Sequence, residues 1–220
     1  MPWLLAIESS TCRASIALMS GDEVIFSGGF ESDRNHNALL FEPLQEALGL
    51  LGGAKLEQVV IGTGPGSYSG TRVGIAAGQG VALVHGCPAV GLSSLLATPR
   101  KAGVAIGDAR RGSAWWAELG QGLPKPELID TAQLAPLLAG RDGVFSFEDV
   151  SRLGLPADLR VAQPMPTAVD LARAWLGLDE AVRAEISTEP PQPEYLRPPH
   201  ITEAKKGHPL LRALTPEAGD

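Results

Sequence analysis

The chain has 220 residues, 44% apolar and 20% charged, a balance that supports a folded core and gives enough length for two compact lobes. Its net charge of -7 and pI near 5.1 leave no excess of Lys and Arg to neutralise phosphates, which argues against nucleic-acid binding by this chain on its own. The two cysteines, Cys12 and Cys87, form neither a framework nor a CxxC pair, so packed thiols in a reducing compartment are expected.

Met1-Pro2-Trp3-Leu4-Leu5 lacks the basic start and long apolar stretch of a signal peptide. No apolar run is long enough to span a bilayer. A soluble, cytoplasmic protein without membrane association is the expectation.

In chain order, Leu4 to Ser9 and Ala14 to Met19 read as strands, and Gly21-Asp22 marks a turn before Val24-Ile25-Phe26. Three strands joined by short turns predict an antiparallel meander. From Asn35 to Leu51 the period becomes helical, with Leu40, Leu44, Ala47, Leu48 and Leu51 on one face. Leu39, Phe41 and Leu50 fall outside that stripe. The apolar belt is therefore wider than one packing face requires, and the helix is either trapped inside its own domain or also packed on another subunit. Gly52-Gly53 ends it.

Gln58 to Ile61 reads as a buried strand. It enters a glycine-rich stretch, Gly62 to Arg72, which a run of small residues from Val73 to Val84 leaves as a helix. Gly70, Gly74 and Gly78 recur every four residues and predict a strip of bare backbone that lets another element approach closely. Glycine costs a helix about 1 kcal/mol per interior site, so tight packing is the expected compensation. Pro88 to Leu92 is a further strand, and Ser93-Ser94 caps a short helix.

The second half opens with Val104 to Gly107, the turn Asp108-Ala109-Arg110-Arg111-Gly112 and the strand Ser113 to Leu119. This order of apolar strand, acid, polar turn and second strand repeats the start of the chain, with Glu8 and Asp108 in equivalent places. The weak repeat predicts two similar lobes with a boundary near Pro99: an N-terminal lobe over residues 1–98, a smaller C-terminal lobe over 99–198, and a mobile tail over 199–220. Leu128-Ile129 and Gly143 to Phe147 read as strands, Thr131 to Leu138 and Thr167 to Leu176 as helices. Prolines dominate from Ser187 onward, with Tyr195-Leu196-Arg197 a candidate docking piece.

The glycine stretch has the layout of a phosphate cradle, in which backbone N–H groups converge at a helix start. Three motifs fail on it. A P-loop needs Gly-Lys-Ser/Thr, and Ser69-Gly70-Thr71 has no Lys. A dinucleotide fingerprint needs an acid about 20 residues on, yet no Asp or Glu occurs from Gln58 to Gly107. A nucleophile elbow centres a serine between glycines, whereas Gly66-Ser67-Tyr68-Ser69-Gly70 centres Tyr68. His36, His85, His200 and His208 are not spaced as ligand pairs; Leu40 stands four residues after His36, and no metal site is expected. Glu8 and Asp108 can flank a cleft or act as turn residues accepting backbone N–H bonds. Arg72, at the exit of the glycine stretch, is the cation there best placed for a role.

Leu5-Ala6-Ile7-Glu8-Ser9-Ser10-Thr11, Arg34-Asn35-His36, Gly64-Pro65-Gly66-Ser67-Tyr68-Ser69-Gly70-Thr71-Arg72-Val73-Gly74, Gly91-Leu92-Ser93-Ser94-Leu95, Asp108-Ala109-Arg110-Arg111-Gly112 and Tyr195-Leu196-Arg197 together resemble the TsaB (YeaZ-type) family. Each motif is weak alone; the ordered set is specific. The resemblance implies a two-lobed α/β fold of the actin/hexokinase/Hsp70-like (ribonuclease H-like) type, with mixed sheets flanked by helices. It implies a part in forming N6-threonylcarbamoyladenosine at position 37 of tRNAs that read ANN codons.

In that pathway the transferase is the paralogue TsaD, which binds metal through a His-x-x-x-His pair that this chain lacks. The resemblance thus implies a non-catalytic subunit without cofactor that binds and activates TsaD. TsaE would join the assembly, a homodimer is possible alone, and tRNA binding would fall to other subunits. The implied interface uses His36, Leu40 and Leu44 on one helix and Val73, Ala77 and Val81 on the next. Glu8, Ser10, Gly64, Gly66, Ser67, Arg72 and Asp108 would be remnants of a nucleotide loop. The competing expectation is a stand-alone ATP-dependent kinase or carbamoyltransferase of the same fold; a protease using Ser67 or Ser69 is weaker.

Overall fold

The computed structural model describes residues 2–31 and 39–196, which build two mixed sheets. The first runs β3-β2-β1-β4-β5, from β1 (Trp3–Glu8), β2 (Arg13–Ser20), β3 (Glu23–Glu31), β4 (Leu56–Gly62) and β5 (Ala89–Leu92). The three N-terminal strands form the expected antiparallel meander, and β4 and β5 add parallel to β1. The second sheet runs β8-β7-β6-β9, from β6 (Gly103–Asp108), β7 (Ser113–Leu119), β8 (Glu127–Asp130) and β9 (Val144–Phe145). Here too an antiparallel meander carries one parallel strand, β9 on β6.

The central strands of the first sheet read as nearly continuous apolar runs because both faces are covered. Leu5, Ile7, Ile16, Leu18, Val59 and Ile61 point to one face, where α1 (Phe41–Gly49) and α2 (Tyr68–His85) pack. Leu4, Ala6, Ala17, Met19 and Val60 point to the other, under Leu171, Ala172 and Trp175 of α4 (Ala168–Leu176). On the second sheet, Val104, Ile106 and Ala114 pack with Leu134 and Leu138 of α3 (Thr131–Leu138). Its opposite face holds Ala105, Trp115, Ala117 and Phe145.

Several boundaries differ from the sequence reading. The helix expected from Asn35 is described from Phe41 to Gly49, residues 32–38 lying outside the described part. The helix after the glycine stretch starts at Tyr68, five residues before Val73, because the Ser67 side chain caps it by accepting from Gly70 N–H. β3 extends from Glu23 to Glu31, since pairing with β2 carries it past its apolar centre. β9 shrinks to two residues. A short helix, α5 (Glu180–Ile186), has no buried residue and left no apolar stripe to read. The expected break near Pro99 falls between the two sheets, yet α4 and Ile186 of α5 return to the first sheet's core. The proposed tail from 199 lies outside the described residues, as do Arg34, Asn35, His36, Arg197, His200 and His208.

The glycine strip of α2 does what its spacing predicts. A Cβ at Gly74 would strike the Ser9 hydroxyl, and one at Gly78 the side chain of Ile61, so α2 lies directly on β1 and β4.

Candidate functional site

Two hollows are of interest. The first is a cleft of about 1220 Å³ between the glycine stretch and the second sheet. Thr11, Cys12, Pro65, Gly66, Ser67, Tyr68 and Arg72 form one wall; Asp108, Arg110, Trp115, Phe147, Glu148 and Asp149 form the other. Glu194, Tyr195 and Leu196 line it from a strap that follows α5, pinned where Glu194 N–H donates to the Thr63 carbonyl at 2.8 Å.

Several backbone donors of the glycine stretch are occupied. Gly64 N–H donates to the Ser94 hydroxyl at 3.0 Å and Gly70 N–H to the Ser67 hydroxyl at 3.2 Å. Ser67 N–H donates to the Ser10 carbonyl at 2.6 Å, and Thr71 N–H to the Ser67 carbonyl at 3.0 Å. The Ser9 hydroxyl donates to the Gly70 carbonyl at 2.9 Å, tying the β1–β2 turn to the helix start. Geometrically the stretch is a strand-to-helix joint closed by its own bonds.

The acids divide. Glu8 does not line the cleft; it is fully buried, with Oε1 accepting from Ser10 N–H at 2.8 Å and Oε2 against Gly62 and Ser94. Among the described residues neither Oε2 nor the Ser10 hydroxyl makes a hydrogen bond of good geometry, and burial, outweighing nearby Ser10 and Ser94, pushes the Glu8 carboxyl above the usual carboxylate range. Of the two alternatives for Glu8 and Asp108, flanking a cleft fails for Glu8: its side chain turns into the protein, beneath the end of β4. The turn reading holds, since Asp108 also accepts a backbone bond, from Arg110 N–H at 2.7 Å, and pairs with the Arg110 guanidinium at 2.8 Å. Glu148 accepts from Asp108 N–H at 2.7 Å, and burial raises its pKa. Asp149 accepts from both Ser151 N–H and the Ser151 hydroxyl, which hold its carboxyl low. Sequence reasoning missed Glu148 and Asp149, which reach the cleft from beyond β9 and share no motif with the first wall.

Ser67 spends its oxygen as the α2 cap, and Ser69 is exposed. The one described histidine, His85, lies at the far end of α2, about 25 Å along a helix of that length. Neither serine therefore has a histidine base among the described residues. Nor do those residues hold a group of three metal-ligating side chains, or a helix long and apolar enough to cross a membrane.

The second hollow is an apolar groove of about 640 Å³ between α1 and α2. Leu44, Val73, Ala77 and Val81, four of the six expected interface residues, line it with Phe41, Leu48, Ala76, Gly80 and Val84. Leu40 does not: it has no exposed surface and belongs to the core under α1. Leu44 at 5% and Val81 at 8% exposure form the floor, whereas Phe41 at 58% and Val84 at 82% stand proud. The sequence reading named the floor and marked Phe41 as apolar surface off the buried stripe; it did not single out Val84, because helical period marks the buried face most strongly.

The fold is that of the actin-like (ASKHA) proteins, two mixed sheets flanked by helices around a cleft. A family model described as "TsaD: tRNA N6-adenosine threonylcarbamoyltransferase" matches residues 28–134. The Escherichia coli "tRNA threonylcarbamoyladenosine biosynthesis protein TsaB" is 34% identical over 52% of this chain and 54% of its own length. The Haemophilus influenzae protein of the same description is 32% identical over 45% and 42%. The chain thus spans about half the length of the curated relatives it matches. A Pseudomonas aeruginosa crystal structure, described as an uncharacterized protein similar to peptidase YEAZ, covers 90% of this chain and all of its own at 26% identity and TM-score 0.68. The chain is thus similar in sequence, over about half its length, to proteins described as TsaB, and in fold, over 90% of it, to a YEAZ-like structure.

Proposed function

We propose that this chain acts in N6-threonylcarbamoyladenosine biosynthesis as a non-catalytic subunit that binds and activates a TsaD-type transferase. The observation that carries this reading is the groove between α1 and α2, an apolar hollow whose rim exposes Phe41 and Val84. Such a patch on a chain of net charge -7 has the character of a protein-binding surface. In this reading TsaE joins the assembly, two copies can pair through the same face when the transferase is absent, and the modified tRNAs are those that read ANN codons. Contact with tRNA rests with the other subunits, and the complex works in the cytoplasm. His36, Leu44, Val73, Ala77 and Val81 remain proposed contributors to the interface. Gly64, Gly66, Ser67 and Asp108 remain proposed remnants of a nucleotide loop, with Glu8 and Ser10 now serving beneath it.

Co-expression with the TsaD of the same organism tests this. The two chains are expected to co-purify, and Val84→Asp should abolish the complex, since burying an unpaired charge costs about 3–5 kcal/mol. Because Val84 is exposed, the variant should melt like the wild type, and an intact complex would overturn the assigned face.

The second reading, a stand-alone ATP-dependent kinase or carbamoyltransferase, draws on the 1220 Å³ cleft and Asp108 within it. Calorimetry with ATP and magnesium separates the two. Tight binding with turnover by the isolated chain would favour the enzyme; absence of heat supports the subunit.

A further inference from the structure

Among the described residues the chain passes between the two sheets three times. It leaves β5 for β6 through residues 93–102, and it returns to α4 through residues 163–167, from Ala162, which bridges to Phe145 of β9. These two crossings meet, since Thr167 N–H donates to the Ala97 carbonyl at 2.8 Å. The third crossing is the strap after α5, and it is seated step by step. Buried Pro191 lies directly on β5, its Cα 3.2 Å from where a Cβ at Gly91 would stand. Glu194 N–H donates to the Thr63 carbonyl, just past β4, at 2.8 Å. The Tyr195 hydroxyl accepts from the Arg72 guanidinium at 2.7 Å, and Arg72 is itself stacked 3.7 Å above the Tyr68 ring. One residue later Leu196 packs against the second sheet's cluster that holds Trp115, Phe145 and Phe147. The strap therefore changes lobes between Tyr195 and Leu196, and both residues line the cleft.

We propose that the strap is a clasp on the cleft: Leu196 is the latch that holds the second sheet's lobe against the first, and the Arg72–Tyr195 pair aims it. The two joined crossings form a hinge edge, and Ala97 and Thr167, where they meet, lie outside the cleft lining. Rotation about such an edge is the softest motion open to the two lobes, so a tie placed away from it sets how wide the cleft opens. Pro191, Glu194 and Tyr195 are all seated on the first lobe. Opening strips only Leu196 from its place and leaves the rest of the strap where it is. One partly buried leucine is a small contact to break, which suits a reversible step. A molecule that fills the 1220 Å³ cleft does so by displacing Leu196. None of Arg72, Tyr195 and Leu196 lines the α1/α2 groove, so the clasp stands or falls apart from the docking reading.

The two free thiols supply the test. Cys12 lines the cleft and reports its opening, whereas Cys87 packs against the first sheet's core and reports loosening of the fold. Iodoacetamide alkylation of the full chain, read at each cysteine by mass spectrometry, compares the wild type with Leu196→Ala, Leu196→Met and Tyr195→Phe. None of these substitutions changes a charge at neutral pH, so the Cys12 rate reports access. Amide exchange at Glu194 follows the strap itself. Leu196→Ala is expected to alkylate Cys12 about tenfold faster, with Cys87 and the Glu194 amide unchanged, as a local opening requires. Leu196→Met keeps the apolar bulk and should restore the wild-type rate. Tyr195→Phe loses one exposed hydrogen bond and should give a rise of about two- to fivefold. An unchanged Cys12 rate in Leu196→Ala would overturn the latch. A Cys87 rate that rises in step with Cys12 would overturn it too, by making Leu196 an ordinary part of the core. Faster Glu194 exchange in Leu196→Ala would mean that the strap leaves as a whole, against a latch confined to one residue. A wild-type Cys12 rate in Tyr195→Phe, beside a raised one in Leu196→Ala, would overturn the aiming role of Arg72 and leave the latch standing.

Discussion

The cleft and the groove differ in how far their groups are already satisfied. In the cleft, Asp108 is joined to Arg110, Glu148 to the Asp108 backbone and Asp149 to Ser151, and the glycine-loop donors bond to Ser10, Ser67 and Ser94. In the groove, Phe41 and Val84 expose most of their apolar surface, with none of the described residues laid over them. The larger hollow is thus internally bonded, and the smaller one is where association still has apolar surface to remove from water. Volume alone would rank them the other way.

The strongest way to sharpen that contrast is to divide the groove itself. Leu44 supports the fold from the groove floor, and Val84 stands on the rim. Leu44→Ala should cost about 2–5 kcal/mol of stability in the isolated chain, as a buried leucine truncated to a cavity does. Val84→Ala should change stability by less than about 0.5 kcal/mol. Urea denaturation of both variants checks this. Equal losses would mean that the rim is part of the core and that the groove is no open surface. A charge placed at Leu44 is a poor probe of docking for the same reason, since it would unfold the chain before it tested a partner.

Much of this architecture was legible in the sequence. The N-terminal meander, the strand-to-helix joint and the close-packing glycines all follow from local signals: alternation, turn residues and a four-residue repeat. The cleft was less so. Glu148 and Asp149 come to face Gly66 and Ser67 only because β9 pairs in parallel with β6, a long-range pairing that no local pattern encodes. Glu8 was legible as a residue but not as a buried one, because the direction of a side chain at a strand end depends on what closes over it. The first interface helix was read by its period, which puts Leu40 and Leu44 on the buried stripe and leaves Phe41 off it. Apolar residues off the stripe were the better signal for the surface.

Glu8 offers the next test, because it separates groups that belong to the cleft from groups that only lie near it. Its carboxyl, raised by burial, keeps its proton to higher pH than in the unfolded chain, where release occurs near 4.5. Folding therefore takes up a proton in that window. Stability from this group is full below about 4.5 and falls as pH rises toward the raised folded value. Glu8→Gln keeps an acceptor for Ser10 N–H but removes the titration. It should match the wild type at acid pH and exceed it by roughly 1 kcal/mol or more at neutral pH. Denaturant melts from pH 4.5 to 8 measure the difference. Parallel pH profiles for the two proteins would mean that Glu8 is solvated and faces the cleft after all.

The smallest effect expected is also the most direct probe of whether the cleft wall satisfies itself. Asp108 is largely shielded, with 12% of its side chain exposed, while its partner Arg110 is 63% exposed. Arg110 and Arg111 both sit at positive φ, 64° and 55°, a backbone that bulky residues rarely adopt. The Asp108 carboxylate reaches both the Arg110 backbone N–H and its guanidinium, so it braces the turn against that cost. Asp108→Asn can keep the backbone bond through its carbonyl but loses the ion pair. An exposed pair contributes about 0–1 kcal/mol, so the expected loss is about 0.5 kcal/mol, shrinking with added salt. A loss several times larger would mean that Asp108 holds the β6–β7 turn in place. A gain would mean that its charge is uncompensated there, that Arg110 does not neutralise it, and that the wall keeps an acid free for a bound ligand.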